Sequence, residues 1–245
     1  MPELLPTLLY CFVFGVYYFQ WPFSSLSLGS PLNAPENTLA SFEQAKKEGV
    51  DLIEFDVGFT KDFVPVLMHD DDLDRTTNMN GPLNKFNFVE LEKCNCAAKF
   101  SSLGSQDVTS NFEPICTLEN LIEWSIKNNV KMLFDVKDTE IKLVKLIALL
   151  FERYNLYNKA IVCSFFPTVV YRIKKENPNI LTGGFITYED IEFTVPRSSS
   201  KLIFFISMIL DVIWIWCVKL WIPEFLGVDM VLTERREISP LVSIF

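Results

Sequence analysis

Asp51-Leu52-Ile53-Glu54-Phe55-Asp56-Val57-Gly58-Phe59-Thr60 runs into Lys61-Asp62, continues as Val64-Pro65-Val66-Leu67-Met68, and stops at His69-Asp70-Asp71. The first ten residues read as a strand, Lys61-Asp62 as a turn, and residues 64 to 68 as a second, short apolar strand. Side chains alternate across a strand, so Glu54 and Asp56 share one face. His69 is the only histidine among 245 residues. A same-face carboxylate pair beside a lone imidazole at a strand end marks this stretch as the chemical centre.

Outward from it, helix and strand signals alternate. Asn37-Thr38 opens a helix over Leu39 to Glu48, and Gly49 stops it. Residues 71 to 113 read as polar and irregular, with a short helix near Val89 to Lys93; a loop this long carries function or is disordered. Thr117 caps a helix reaching Asn128, with Glu119 and Glu123 near its start. Met132 to Val136 is a buried strand and Thr139 to Phe151 a helix. Ala160 to Ser164, Ile180 to Ile186 and Val228 to Thr233 read as further strands, with a helix over Thr168 to Glu176. Short continuous apolar runs, rather than neat alternation, predict a parallel sheet covered on both faces and built from βα units.

The length fits one large α/β domain or two small ones. A net charge of -9 lacks the basic face that nucleic-acid binding needs. Cys11, Cys94, Cys96, Cys116, Cys163 and Cys217 read as structural thiols, without zinc-knuckle spacing, with one lumenal disulfide as the alternative. Phenylalanine is over-used at 22 copies, six of them in two apolar segments. Residues 4 to 23 nearly match a bilayer crossing, with Tyr17, Tyr18 and Trp21 suited to an interface. They read as an uncleaved membrane anchor over 1–23, with a cleaved signal or a buried helix as alternatives. The second segment, 202–222, carries Asp211 and Lys219 and lies between strand signals. An in-plane amphipathic helix with Trp214, Trp216 and Trp221 at the interface fits that position, and a true span is the alternative.

Asp135 closes another buried strand in Leu133-Phe134-Asp135-Val136-Lys137. With Glu54 and Asp56 it gives a set of oxygen donors from two strand ends, suited to a hard divalent cation, Mg²⁺ or Ca²⁺. Lys137 suits a phosphate oxygen. The imidazole of His69 suits an acid or base, with Asp70 and Asp71 as candidates to orient it; Asp72 and Asp74 are expected in solvent.

The ordered stretches APENTLASFEQA (34–45), DLIEFDVGFTKDFVPVLMHDDDLDRTTNMNG (51–81), LFDVK (133–137) and VCSF (162–165) resemble the glycerophosphodiester phosphodiesterase family, most of all its membrane-bound animal branch that acts on glycerophosphoinositol. The resemblance implies a TIM-type (β/α)8 barrel over residues 24–245 with an extra strand entering His69 and a hydrophobic insertion at 202–222. It implies metal ligands Glu54, Asp56 and Asp135, a catalytic His69, and Lys137 as a catalytic and phosphate-contacting residue. It also implies hydrolysis of a glycerophosphodiester to glycerol 3-phosphate and an alcohol, and a lumenal or extracellular domain at a membrane. Arg75-Thr76-Thr77-Asn78 matches a structural segment beside the site. Two departures stand out. The family's first-strand His-Arg-Gly falls at Ser27, Leu28 and Gly29, so a second histidine and a phosphate-binding arginine are replaced. Only six barrel strands plus the extra one can be counted, so an incomplete barrel is expected. A catalytically defective homologue that binds metal or phosphodiester is the alternative reading.

Overall fold

The computed structural model describes residues 26–27, 33–100, 112–186 and 222–233, together with scattered helical positions between 205 and 213. The chain divides into two compact units, whose described residues lie within Trp21–Val162 and within Cys163–Phe245 respectively.

In the first unit, β1 (Leu26–Ser27), β2 (Leu52–Phe59), β4 (Lys131–Val136) and the start of β5 (Ala160–Ser164) follow one another across the sheet. β1 and β4 both pair in parallel with β2. The short β3 (Pro65–Leu67) folds back antiparallel on the end of β2, with Val57 opposite Leu67 and Phe59 opposite Pro65. Helices α1 (Leu39–Lys47), α2 (Leu118–Asn128) and α3 (Ile141–Tyr154) connect the strands.

The register of β2 and β4 separates two chemistries. Glu54 lies opposite Leu133 and Asp56 opposite Asp135, while Phe55 lies opposite Phe134. Partners in register point to the same face, so the carboxylates share one face and the phenylalanines the other. On the apolar face Phe55 and Phe134 meet at 4.8 Å between ring centres. Phe42 of α1 and Phe151 of α3 extend that stack at 6.4 and 5.7 Å. All four rings are fully buried, in the tilted and edge-on contacts that aromatic quadrupoles favour.

The helix boundaries follow local chemistry. Thr38 caps α1 by accepting the Ser41 N–H, and Thr117 caps α2 by accepting the Asn120 N–H. Gly49 follows α1 at φ 88°, where a side chain would be strained. α3 begins two residues later than expected, because Asp138 Oδ1 accepts the Glu140 N–H and holds that turn outside the helix.

Residues 71–100 correct the expectation of an irregular polar loop. Leu73, Leu83, Leu91, Cys94 and Cys96 are buried there, packing with Val66, Met68 and Ile115 into a core of their own. Two 3-10 helices, Leu83–Lys85 and Phe88–Lys93, carry part of this core, the second covering the short helix expected near Val89 to Lys93. The apolar residues are spaced too irregularly to show a helix or strand period, which is why the pattern conceals them.

In the second unit α4 (Pro167–Glu176), β6 (Thr182–Ile186), α5 (Ile222–Leu226) and β7 (Met230–Thr233) pack together, with β6 and β7 parallel. Asp229 joins them, accepting the Thr182 N–H at 2.6 Å and the Lys174 ammonium at 2.6 Å. Cys94, Cys96, Cys116 and Cys163 are buried and unbridged, in keeping with structural thiols. Among the described residues no helix is long and apolar enough to cross a membrane. The anchor expected over 1–23 lies outside the described residues, as does the 202–222 segment apart from a few helical positions.

Candidate active site

Three neighbouring strands deliver the predicted residues to one place in the first unit. Glu54 and Asp56 come from β2, and Asp135 and Lys137 from the end of β4. β3 then brings the chain back along β2. The Met68 N–H donates to Asp56 O at 3.2 Å, so His69 emerges directly beside Asp56. The Lys137 ammonium lies 2.7 Å from Asp56 Oδ1 and 3.9 Å from Asp135 Oδ2. It also donates to the carbonyl oxygen of His69 at 3.4 Å. Lys137 thus joins both carboxylate strands to the histidine segment.

The electrostatics show excess negative charge. Burial, then the Asp135 and Asp56 charges, push the Glu54 carboxyl up to about 7. Burial also pushes Asp135 up to about 6, opposed by Lys137 and assisted by Asp56. One ammonium does not neutralise three converging carboxylates. Asp135 Oδ1 is buried with no hydrogen-bond partner, and an orphaned buried acceptor of this kind calls for a ligand or a charge. Among the described residues no group of three or more His, Cys, Asp or Glu is arranged as a metal cage; Lys137 is the cation in contact with these oxygens. The donor set, all carboxylate oxygen with one acceptor unsatisfied, nonetheless fits a hard divalent cation.

Two site residues escape the sequence pattern. Asn37 donates from Nδ2 to Asp56 Oδ2 at 2.9 Å, and its Oδ1 accepts the Asp56 N–H at 3.2 Å. It does so from a left-handed backbone, φ 55°, a conformation that asparagine tolerates better than most residues. Its neighbour Glu36 holds Arg75, which in turn holds Asp70. The sequence signal available at 36–37 is a helix start, and that reading accounts for Thr38 but for neither of these partners.

His69 is more than half exposed, with a side-chain exposure of 53%. Asp70 Oδ1 lies 2.6 Å from its Nδ1, so Asp70 orients the ring. Asp71 does not share that role: it is exposed, and its backbone carbonyl accepts the Leu83 N–H. Asp72 and Asp74 are exposed as expected, with Asp74 accepting the Gly81 N–H. Ser27 pairs through its backbone with Ile53, next in sequence to Glu54. Ser27, where the resemblance expects a histidine, is thus on the strand that pairs with the Glu54–Asp56 strand.

Three carboxylates and a lysine thus gather on one face of a largely parallel α/β sheet, with the His69 segment beside them. The profile of the glycerophosphoryl diester phosphodiesterase family matches residues 29–201, and the chain belongs to that family. It is 30% identical over 220 residues to human glycerophosphodiester phosphodiesterase 1, covering 86% of this chain and 64% of that protein. The bovine counterpart is 33% identical over 220 residues with the same coverage. The chain therefore spans 64% of the length of these relatives. An Oleispira antarctica phosphodiesterase, solved in complex with the product sn-glycerol-3-phosphate, matches the fold with a TM-score of 0.58 at 20% identity, over 86% of this chain and 93% of that one.

Proposed function

We propose that this chain hydrolyses glycerophosphodiesters, glycerophosphoinositol among them, to glycerol 3-phosphate and an alcohol. The observation that carries the reading is the convergence of Glu54, Asp56, Asp135, Lys137 and His69 on one face at the ends of adjacent strands. Glu54, Asp56 and Asp135 would hold a divalent cation, Mg²⁺ or Ca²⁺, which when bound supplies charge neutralisation and polarisation of the phosphate. Lys137 places a positive charge against a phosphate oxygen. His69, with Nδ1 turned to Asp70, leaves Nε2 to exchange protons with the substrate: in the imidazolium form its Nε2–H protonates the departing alkoxide and the ring reverts to the neutral Nδ1–H form.

A second reading has its own observation. His69 has no partner histidine anywhere in the chain, and Ser27 and Leu28 stand where the family resemblance leads one to expect histidine and arginine. Serine cannot shuttle protons near neutral pH. Loss of one acid–base partner lowers rate by roughly 10²–10⁴-fold. On this reading the chain is a catalytically defective homologue that binds metal or phosphodiester. The purified full chain, assayed on glycerophosphoinositol with Mg²⁺ or Ca²⁺, decides. Release of glycerol 3-phosphate that disappears in His69→Ala supports hydrolysis. Turnover only after Ser27→His and Leu28→Arg supports the defective homologue. Absence of turnover in both proteins refutes the hydrolytic assignment.

A membrane surface is proposed as the chain's partner, with the domain on the lumenal or extracellular side. The helical residues Phe205, Ile206, Ile209, Leu210 and Ile213 are all exposed. Their spacing puts large apolar groups along one helical stripe, and Trp214, Trp216 and Trp221 follow in sequence, as suits a helix lying in the interface. Flotation of the full chain with phosphatidylcholine vesicles should be weakened by Phe205→Asp with Ile209→Asp. Unchanged flotation of that variant, or no flotation of the parent chain, would overturn it.

A further inference from the structure

Arg75 is fully engaged. Its Nε donates to Asp70 Oδ2 at 2.6 Å and its Nη2 to Asp70 Oδ1 at 3.1 Å. Its Nη1 donates to Glu36 Oε2 at 3.1 Å, and Nη2 also meets Glu36 Oε1 at 2.5 Å. Four hydrogen bonds to two carboxylates leave little of a five-donor guanidinium for any other anion. Arg75 therefore cannot stand in for the arginine replaced by Leu28 without first releasing a carboxylate. Its geometry serves another purpose. Asp70, gripped by the guanidinium on both oxygens, faces the imidazole of His69 with Oδ1.

We infer that Glu36 and Arg75 are positioning residues for His69, fixing the Asp70 carboxylate so that Nδ1 of the neutral ring carries the proton and Nε2 is the nitrogen left to take up and pass on a proton. The inference rests on the reading of His69 as the acid–base group. Three features support it. The Arg75 fork holds Asp70 ionised down to about 2, with a smaller contribution from His69. The chain of contacts runs from residue 36 to residue 75 to residue 70, so it ties the turn before α1 to the segment after β3. Finally, Glu36 adjoins Asn37, which clamps Asp56. One turn thereby sets both the histidine and a carboxylate of the site, in the way outer partners commonly orient functional groups.

Because His69 is the only histidine, its ring gives a single set of signals in long-range ¹H–¹⁵N spectra of the ¹⁵N-labelled full chain. The parent protein should show a predominant Nδ1–H tautomer. Glu36→Gln should lower the Nδ1–H to Nε2–H ratio several-fold, part of the way to the value of Asp70→Asn. Glu119→Gln, which breaks the remote exposed Arg153–Glu119 pair, should leave it unchanged. A parent ratio in Glu36→Gln alongside a changed one in Asp70→Asn would overturn the inference, as would a parent chain lacking the Nδ1–H signature. Should Glu36→Gln fail to fold, Glu36→Asp keeps the charge on a shorter stem; an intermediate ratio supports the role and a parent ratio overturns it. The spectra need no turnover. An inactive chain with the expected tautomers would therefore count against the hydrolytic reading alone.

Discussion

Replacing Asn37 tests the site at its least obvious point. Asn37→Gly keeps the left-handed backbone but removes both hydrogen bonds to Asp56. The Nδ2 bond goes to a buried carboxylate, and such charge-assisted bonds contribute about 1.5–3 kcal/mol. The Asp56 N–H, also buried, then loses its side-chain acceptor, at about 1–3 kcal/mol if nothing replaces it. The two terms share one residue and do not add in full, so the expected loss is roughly 2–4 kcal/mol. Asn37→Ala carries the same loss plus about 1–2 kcal/mol for a left-handed alanine. Asn37→Ala should therefore be the less stable variant, the gap between the two isolating the backbone term. Urea denaturation followed by far-UV circular dichroism measures this through the midpoint, provided the slope is unchanged. Calorimetric titration with Ca²⁺ or Mg²⁺ should show affinity about 10–100-fold weaker in both variants, the usual effect of losing an outer partner of a ligand. Alanine and glycine variants within about 0.5 kcal/mol of the parent would refute the clamp, since that is the ordinary range of neutral surface changes.

The remaining predictions concern pH and packing. Glu54 and Asp135 are raised to about 7 and about 6 from model-peptide values of 4.5 and 3.8. Between those limits the folded chain holds more protons than the unfolded one, so the metal-free protein should lose stability as pH rises from about 4 to about 7. Asp70 acts in the opposite sense: held down to about 2 from 3.8, its contribution is present above pH 4 and lost as pH falls through 2. Urea midpoints across this range should fall from pH 5 to 7.5 without metal and flatten in Asp135→Asn; a midpoint that rises over that interval refutes the assignment. In the second unit, a Cβ on Gly183 would lie 2.6 Å from Cys163 Sγ and 2.7 Å from Leu232 Cδ1, whereas one on Gly184 meets nothing nearer than 4.0 Å. Gly183→Ala should destabilise by about 1–3 kcal/mol through overpacking. Gly184→Ala should be neutral or gain up to about 1 kcal/mol, because alanine suits a strand interior better than glycine. Equal thermal midpoints for the two variants would refute the packing argument.

What could be read from residue order and what could not differ in physical kind. A strand has a period of two, so Glu54 and Asp56 sharing a face is fixed by local geometry alone. His69 after β3, Thr38 and Thr117 as caps, and the run of parallel βα units are local in the same sense. Register is not local. Asp56 lies opposite Asp135 only because β2 and β4 pair over 79 positions of sequence separation, and no pattern in either strand states that offset. The Phe55–Phe134 contact on the reverse face follows from the same pairing. The compact segment 71–100 was concealed because its apolar side chains obey no single period. The least legible residues were Glu36 and Asn37. Each acts by holding another side chain, Glu36 on Arg75 39 positions away and Asn37 on Asp56 19 positions away. A helix start explains the local letters around them so well that nothing there asks for a second role. The left-handed φ of Asn37 is what exposes it, since the backbone strain has a reason only once Asp56 is seen beneath it. The lone histidine carries the converse lesson. It was legible at once, because the lack of a second imidazole is a chemical fact about residue types and needs no fold to be seen.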